Sequence, residues 1–149
     1  MKICLVCSSG GHFLQLYSLK ESWSGFDHFW VTFKGRDTEC MLKDERVFYS
    51  HSPTNRNIKN LVKNLFLAAK ILKRERPDAV VSTGAGVAVP FIYIAKALGI
   101  KTIYIESITR SKDLSLSAKL VYFVTDELLV QWPELGKKYG RAKFKGQVL

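Results

Sequence analysis

The chain has 149 residues, 47% of them hydrophobic and 24% charged, with a formal net charge of +10. That size fits one domain with a sizeable core, and the composition excludes a disordered or low-complexity chain. Cys4, Cys7 and Cys40 are odd in number and accompany no secretory signal, which speaks for reduced structural thiols of a cytosolic protein rather than a disulfide framework.

Lys2 to Cys7 reads as a buried strand, closed at once by Ser8-Ser9-Gly10-Gly11-His12. Cys4 and Cys7 form a C-x-x-C within it, but alternation along a strand sends them to opposite faces, so redox or metal chemistry is not expected of the pair. Phe13 to Trp23 carries Leu14, Tyr17, Leu19 and Trp23 at helical spacing. Strands are predicted at His28 to Phe33 and Arg46 to Tyr49. Asn57 to Arg74 is the strongest helix, with Ile58, Leu61, Val62, Leu65, Ala68, Ala69 and Leu72 recurring on one stripe, and Pro77 stops it.

The second half repeats the rhythm. Ala79 to Thr83 is a strand, Gly84-Ala85-Gly86 a turn, and Val87 to Leu98 an apolar helix closed by Gly99. Lys101 to Glu106 is a strand, Leu114 to Phe123 a helix and Glu127 to Val130 a strand. Pro133 to Tyr139 holds a short helix before a last strand at Lys143 to Lys145. Strand–helix alternation of this kind implies right-handed βαβ units, so the fold class is α/β: a Rossmann-like, mostly parallel sheet with helices on both faces. No repeat or linker interrupts it, and residues 1–149 are read as a single domain.

In such a sheet, ligands bind beyond the carboxyl ends of the strands where strand order reverses. With the order 3-2-1-4-5, the first and fourth strands flank that crevice, and these are the two followed by glycine-rich turns, Ser8 to His12 and Ser82 to Gly86. Glycines let backbone N–H groups approach an anion, the following helix adds its N-terminal dipole, and serines add hydroxyl donors. Ser8, Ser9, Gly10, Gly11, Ser82, Thr83, Gly84, Ala85 and Gly86 are therefore the candidate phosphate-binding residues; the plainer alternative is a pair of tight strand-to-helix turns. Neither loop has the G-x-G-x-x-G spacing or the later acidic residue of a dinucleotide site, and no Walker A loop is present. His12, at a helix start, is a candidate general base or phosphate ligand. Glu106, ending the fifth strand, is a candidate for proton transfer or for binding sugar hydroxyls, or a cap for the segment after it.

The positive charge is clustered. Arg56, Lys59, Lys63, Lys70, Lys73, Arg74 and Arg76 stand against Glu75 alone, and Lys137, Lys138, Arg141, Lys143 and Lys145 follow near the end. Such clusters suit anionic partners. The first group lies on the long helix, where Phe66 and Leu67 widen the apolar face; it reads either as a solvated surface helix or as one lying on anionic lipid through Lys59, Lys63, Phe66, Lys70, Lys73 and Arg74. No stretch reaches the ~20 apolar residues of a transmembrane span. No DNA or RNA motif is present, and aromatics do not alternate with basic residues, so nucleic acid is not an expected partner.

The order of Ser8-Ser9-Gly10-Gly11-His12, Ser82-Thr83-Gly84-Ala85-Gly86-Val87-Ala88-Val89-Pro90 and Ile105-Glu106-Ser107 resembles the N-terminal half of family-28-type glycosyltransferases. More closely it resembles the small anchoring subunits of split UDP-GlcNAc transferases of asparagine-linked glycosylation and their bacterial counterparts in capsule and exopolysaccharide biosynthesis. The resemblance implies one half of a GT-B fold in a heterodimer with a separate catalytic subunit. This chain would bind a polyprenyl-diphosphate-linked acceptor and hold no cofactor of its own, with the UDP-sugar donor on the partner. It implies Ser9, Gly10, Gly11 and His12 facing the acceptor diphosphate, Gly84 to Gly86 beside them and Glu106 near the sugar. It further implies a cytoplasmic protein, peripheral on the inner face of the cell membrane. The eukaryotic subunits begin with a membrane-spanning segment, whereas here Met1 leads straight into a strand, and the chain has no room for a donor-binding domain. The alternatives are a stand-alone small Rossmann-type enzyme or binding protein for a phosphorylated or nucleotide ligand, and a basic membrane-surface or nucleic-acid adaptor with no sugar chemistry.

Overall fold

The computed structural model describes residues 1–148. Seven strands form one parallel sheet: β1 (Lys2–Val6), β2 (Asp27–Thr32), β3 (Val47–Tyr49), β4 (Ala79–Ser82), β5 (Lys101–Ile105), β6 (Glu127–Val130) and β7 (Ala142–Phe144). Their order is β3-β2-β1-β4-β5-β6-β7. The order expected for the first five strands is found, and β6 and β7 extend it on the same side. Strand order reverses between β1 and β4, and Val6 pairs with Ser82 at their carboxyl ends. Both glycine loops thus leave the sheet side by side.

The helices are α1 (Gly11–Ser18), α2 (Lys20–Trp23), α3 (Arg36–Met41), α4 (Ile58–Glu75), α5 (Ala88–Ala97), α6 (Leu116–Val121) and α7 (Pro133–Lys138). α4 to α7 bury one face of the sheet in a core that includes Cys4, Val6, Val80, Phe91 and Tyr104. α1 to α3 bury the other with Leu5, Cys7, Phe13, Trp23 and Trp30. Cys4 and Cys7 sit in these two separate cores, as strand alternation requires, and burial pushes the Cys7 thiol up to about 12. The second core covers the sheet only around β1 to β3. Further along that face Ile103 and Leu129 stay half-buried, beside a Lys143–Glu127 pair of 2.7 Å.

Three departures from the sequence reading have local causes. The helix expected over Phe13 to Trp23 breaks at Leu19, because the Trp23 indole N–H donates to the Leu16 carbonyl (3.0 Å) and folds the chain back. α3 has no apolar period to announce it; Thr38 holds its start, its hydroxyl accepting from Gly35 N–H and donating to the Phe33 carbonyl. The third concerns the apolar stripe of α4. Ala68, Ile71 and Leu72 are buried, but Ile58, Leu61, Val62, Leu65 and Phe66 are exposed. An 18-residue helix is about 27 Å long, whereas strands of four or five residues reach only about 15 Å. α4 runs antiparallel to the strands, so its first turns overhang their carboxyl ends. That overhang forms one wall of the site.

Candidate functional site

Loop 1 follows β1. Gly10 sits at φ 78° and ψ −136°, a backbone conformation that L side chains rarely adopt, and from it the chain turns into α1. The N–H groups of Gly11, His12 and Phe13 fall in the first turn of α1, where no intrahelical acceptor exists. The Gly10 N–H is already engaged: it donates to the Asp37 carboxylate at 2.7 Å. Thus α3 supplies a carboxylate at the start of α1, a contact that no sequence pattern announced.

Loop 2 follows β4 and differs in kind. Ser82, Thr83 and Gly84 are fully buried. Gly84 N–H donates to the Ser82 hydroxyl (3.1 Å), while Ala88 and Val89 donate to the Ala85 and Gly86 carbonyls, so the first amides of α5 are consumed within the loop. The two loops are locked together reciprocally. The Thr83 hydroxyl donates to the His12 carbonyl at 2.6 Å, and His12 Nδ1 lies 2.8 Å from the Thr83 carbonyl. A carbonyl only accepts, so Nδ1 carries the proton and the neutral ring keeps its acceptor at Nε2. Gly84, at φ 115°, lets the imidazole lie flat against the chain: a Cβ there would stand 3.2 Å from Nδ1 and 2.9 Å from the Tyr104 hydroxyl.

Above these loops lies an open cavity of about 1050 Å³. Of the expected site residues it is lined by Ser8, Ser9, His12, Ala85, Gly86 and Glu106. Gly10 and Gly11 are exposed at its edge, and Ser82, Thr83 and Gly84 lie beneath it as floor. Glu106 is 1% exposed, and its oxygens accept from Ser107 N–H (2.8 Å) and Ser115 N–H (2.7 Å). This carboxylate therefore fastens the loop from Glu106 to Ser115, one of the two roles open to it from sequence. Gln131 and Gln15 donate to the Glu106 carbonyl, and the Trp132 indole donates to the Ile108 carbonyl. Asp113 binds Lys119, Lys138 and Tyr139, which hold its carboxyl well below the usual range.

The opposite rim, residues 51–57, is fixed to α4 by three asparagines. Asn57 caps the Asn60 N–H, Asn60 donates to the Pro53 carbonyl, and buried Asn64 both accepts from and donates to the His51 backbone. From these two rims Arg56 and Arg110 reach the cavity, and Lys34 joins them. In the sequence, Arg56 counted only toward the basic cluster, although Arg110 lies just beyond a carboxyl strand end, where ligand residues collect. Further out the walls turn apolar, with Ile58 and Leu61 of α4, Val89 of α5, and Leu116 and Leu120 of α6.

Outside the cavity, Lys59, Lys63, Phe66, Lys70 and Lys73 are exposed along one stripe of α4. Arg74 is turned to Glu75 (3.2 Å) and stacks on Phe48, away from that stripe's free cations. No helix of the described residues is long and apolar enough to cross a membrane.

The family described as "Oligosaccharide biosynthesis protein Alg14 like" matches the chain over residues 3–148. The chain belongs to this family. Among curated Alg14 relatives, the UDP-N-acetylglucosamine transferase subunit ALG14 of Homo sapiens is 35% identical over 92 residues, 58% of this chain and 43% of the human protein. That of Debaryomyces hansenii is 29% identical over an alignment of 173 residues, 97% of this chain and 75% of its own length. The match thus spans less than half of the human relative. Among solved structures, Acinetobacter baumannii MurG superposes with a TM-score of 0.75 at 18% identity, over 90% of this chain and 42% of MurG. A UDP-N-acetylglucosamine 2-epimerase from Rickettsia bellii superposes at 0.76 and 14%, over 99% of this chain and 45% of its own. These likenesses show the fold: a Rossmann-like half of the GT-B architecture.

Proposed function

We propose that this Alg14-family chain is the acceptor-binding subunit of a two-chain glycosyltransferase, acting on a polyprenyl-diphosphate-linked saccharide such as a capsule or exopolysaccharide precursor. The observation that carries the reading is the two-sided cavity. One end offers the Ser9 hydroxyl and the free nitrogen of His12, with the unspent amides of the first turn of α1 at its edge; the other is an apolar wall continuous with the exposed overhang of α4. An amphiphile with a charged head and a hydrocarbon tail fits that division. On this reading the head lies over loop 1, the tail leaves between α4 and α6, and His12 Nε2 is placed to take the proton of an attacking sugar hydroxyl. Lys59, Lys63, Lys70 and Lys73 run along α4 away from that exit on one exposed stripe and would meet anionic headgroups, with Phe66 among them, leaving the protein peripheral on the cytoplasmic side of the membrane.

The catalytic partner would bring the UDP-sugar. A need for a partner is supported by the incompletely covered sheet face around Ile103 and Leu129 and by the curated relatives being named as subunits. The test is sugar transfer from a nucleotide-sugar to a polyprenyl-diphosphate-linked acceptor, assayed with the full chain alone and with the protein that co-purifies with it. Transfer only by the pair is expected. Robust transfer by this chain alone would refute the two-chain reading in favour of a stand-alone enzyme.

A further inference from the structure

Charge on the cavity wall is one-sided. Among the described residues Glu106 is the only carboxylate lining it, and both of its oxygens are bound to backbone amides. Three cations line it, and they are not equivalent. Lys34 has a partner in Glu39 at 3.6 Å. Arg56 and Arg110 have no ion pair among the described residues, and both are exposed. Each arginine therefore lines the cavity without an ion-pair partner among the described residues.

Their backbones are held where surface arginines are ordinarily loose. Arg56 adopts φ 50°, a left-handed conformation unfavourable for a residue with a Cβ, in the rim that Asn57, Asn60 and Asn64 fasten to α4. The N–H of Arg110 donates to the Ser107 carbonyl at 3.0 Å, closing a turn in the rim that Glu106 anchors at both ends. The two arginines rise from opposite rims, one before α4 and the other before α6, and loop 1 lies between them. Each is followed within a few residues by an apolar wall residue, Ile58 after Arg56 and Leu116 after Arg110. The boundary between charged and apolar lining is thus set on both sides by an arginine.

We infer that Arg56 and Arg110 form a two-sided clamp specific for a diphosphate joined directly to a hydrocarbon chain. A guanidinium presents a planar fork that matches two phosphate oxygens. Two forks from opposite rims engage the two phosphoryl groups separately, whereas a monophosphate satisfies only one. The inference rests on the acceptor reading above and extends it: it names the residues that count phosphates on either side of loop 1 and leaves His12 Nε2 to the saccharide.

Binding of farnesyl diphosphate, farnesyl monophosphate and farnesol to the full chain in detergent micelles tests it. The wild-type protein should rank them in that order. Arg56→Gln and Arg110→Gln should each weaken diphosphate binding by about tenfold or more, bring it down to the monophosphate level, and leave farnesol binding unchanged. Arg→Lys variants, which keep the charge and lose the fork, should recover only part of the discrimination, and Lys43→Gln, outside the cavity, should change nothing. Matching melting temperatures exclude misfolding as the cause. If the wild type discriminates and the arginine variants still do, the clamp is wrong while the acceptor reading stands. If the wild type binds farnesyl diphosphate no better than farnesol, both fail.

Discussion

The two glycine loops look alike in sequence and are opposites in structure. Each leaves the carboxyl end of one of two paired strands, and each runs from serine through glycine into a helix. Loop 1 is open, with exposed glycines, an unspent first helical turn and a hydroxyl at the cavity. Loop 2 is closed over itself, its glycine wedged between Tyr104 and His12 and its carbonyls occupied by the amides of α5. Glycine serves loop 1 through backbone conformation and serves loop 2 through both conformation and lack of volume. One loop presents groups to a ligand, and the other holds those groups still.

That contrast can be broken by substitution. His12→Ala removes the loop 1 side chain that loop 2 holds, and transfer activity with the partner should fall by roughly a hundredfold or more; full activity would reduce His12 to a turn residue. Gly84→Ala must strain a left-handed backbone and drive a methyl into Tyr104 and His12. Its denaturant midpoint should reflect a loss of about 3 kcal/mol. Thr83→Val keeps the volume of the floor but leaves the His12 carbonyl without its donor, at a cost of about 1–2 kcal/mol, with activity reduced in the complex because the histidine backbone is no longer pinned. Gly10→Ala meets no atom within 4 Å, so only the backbone strain remains, about 1 kcal/mol. If Gly10→Ala proved costlier than Gly84→Ala in thermal unfolding, the assignment of open and closed loops would be reversed.

Much of this was legible in the sequence for a physical reason. Parallel strands buried on both faces are written as short apolar runs, and the right-handed crossover rule turns their alternation with helices into a sheet order. The placing of the two loops at one crevice followed from that order. The difference between the loops did not, because it depends on which amides find acceptors across the crevice, and Thr83–His12 and Gly10–Asp37 are contacts between distant stretches of chain. The apolar stripe of α4 was legible as a stripe, but not where along it burial gives way to exposure. Periodicity reports a face, whereas burial depends on helix length against strand length, which no helical wheel contains. Arg56 and Arg110 lie in irregular segments with no period, and only the closing of the two rims around loop 1 gives them a common target.

The three asparagines on α4 have a consequence for how the molecule opens. Asn57, Asn60 and Asn64 lie about one turn apart and bind the rim over residues 51–57 along the helix. The rim is therefore not a hinged lid. To swing outward it must either tear three side-chain attachments at once or take the first two turns of α4 with it, and these form a single cooperative unfolding unit. Native-state hydrogen exchange should show the amides of residues 60–64 and of His51 opening together, so that entry to the cavity is set by the fraying of one helix end rather than by the motion of a loop.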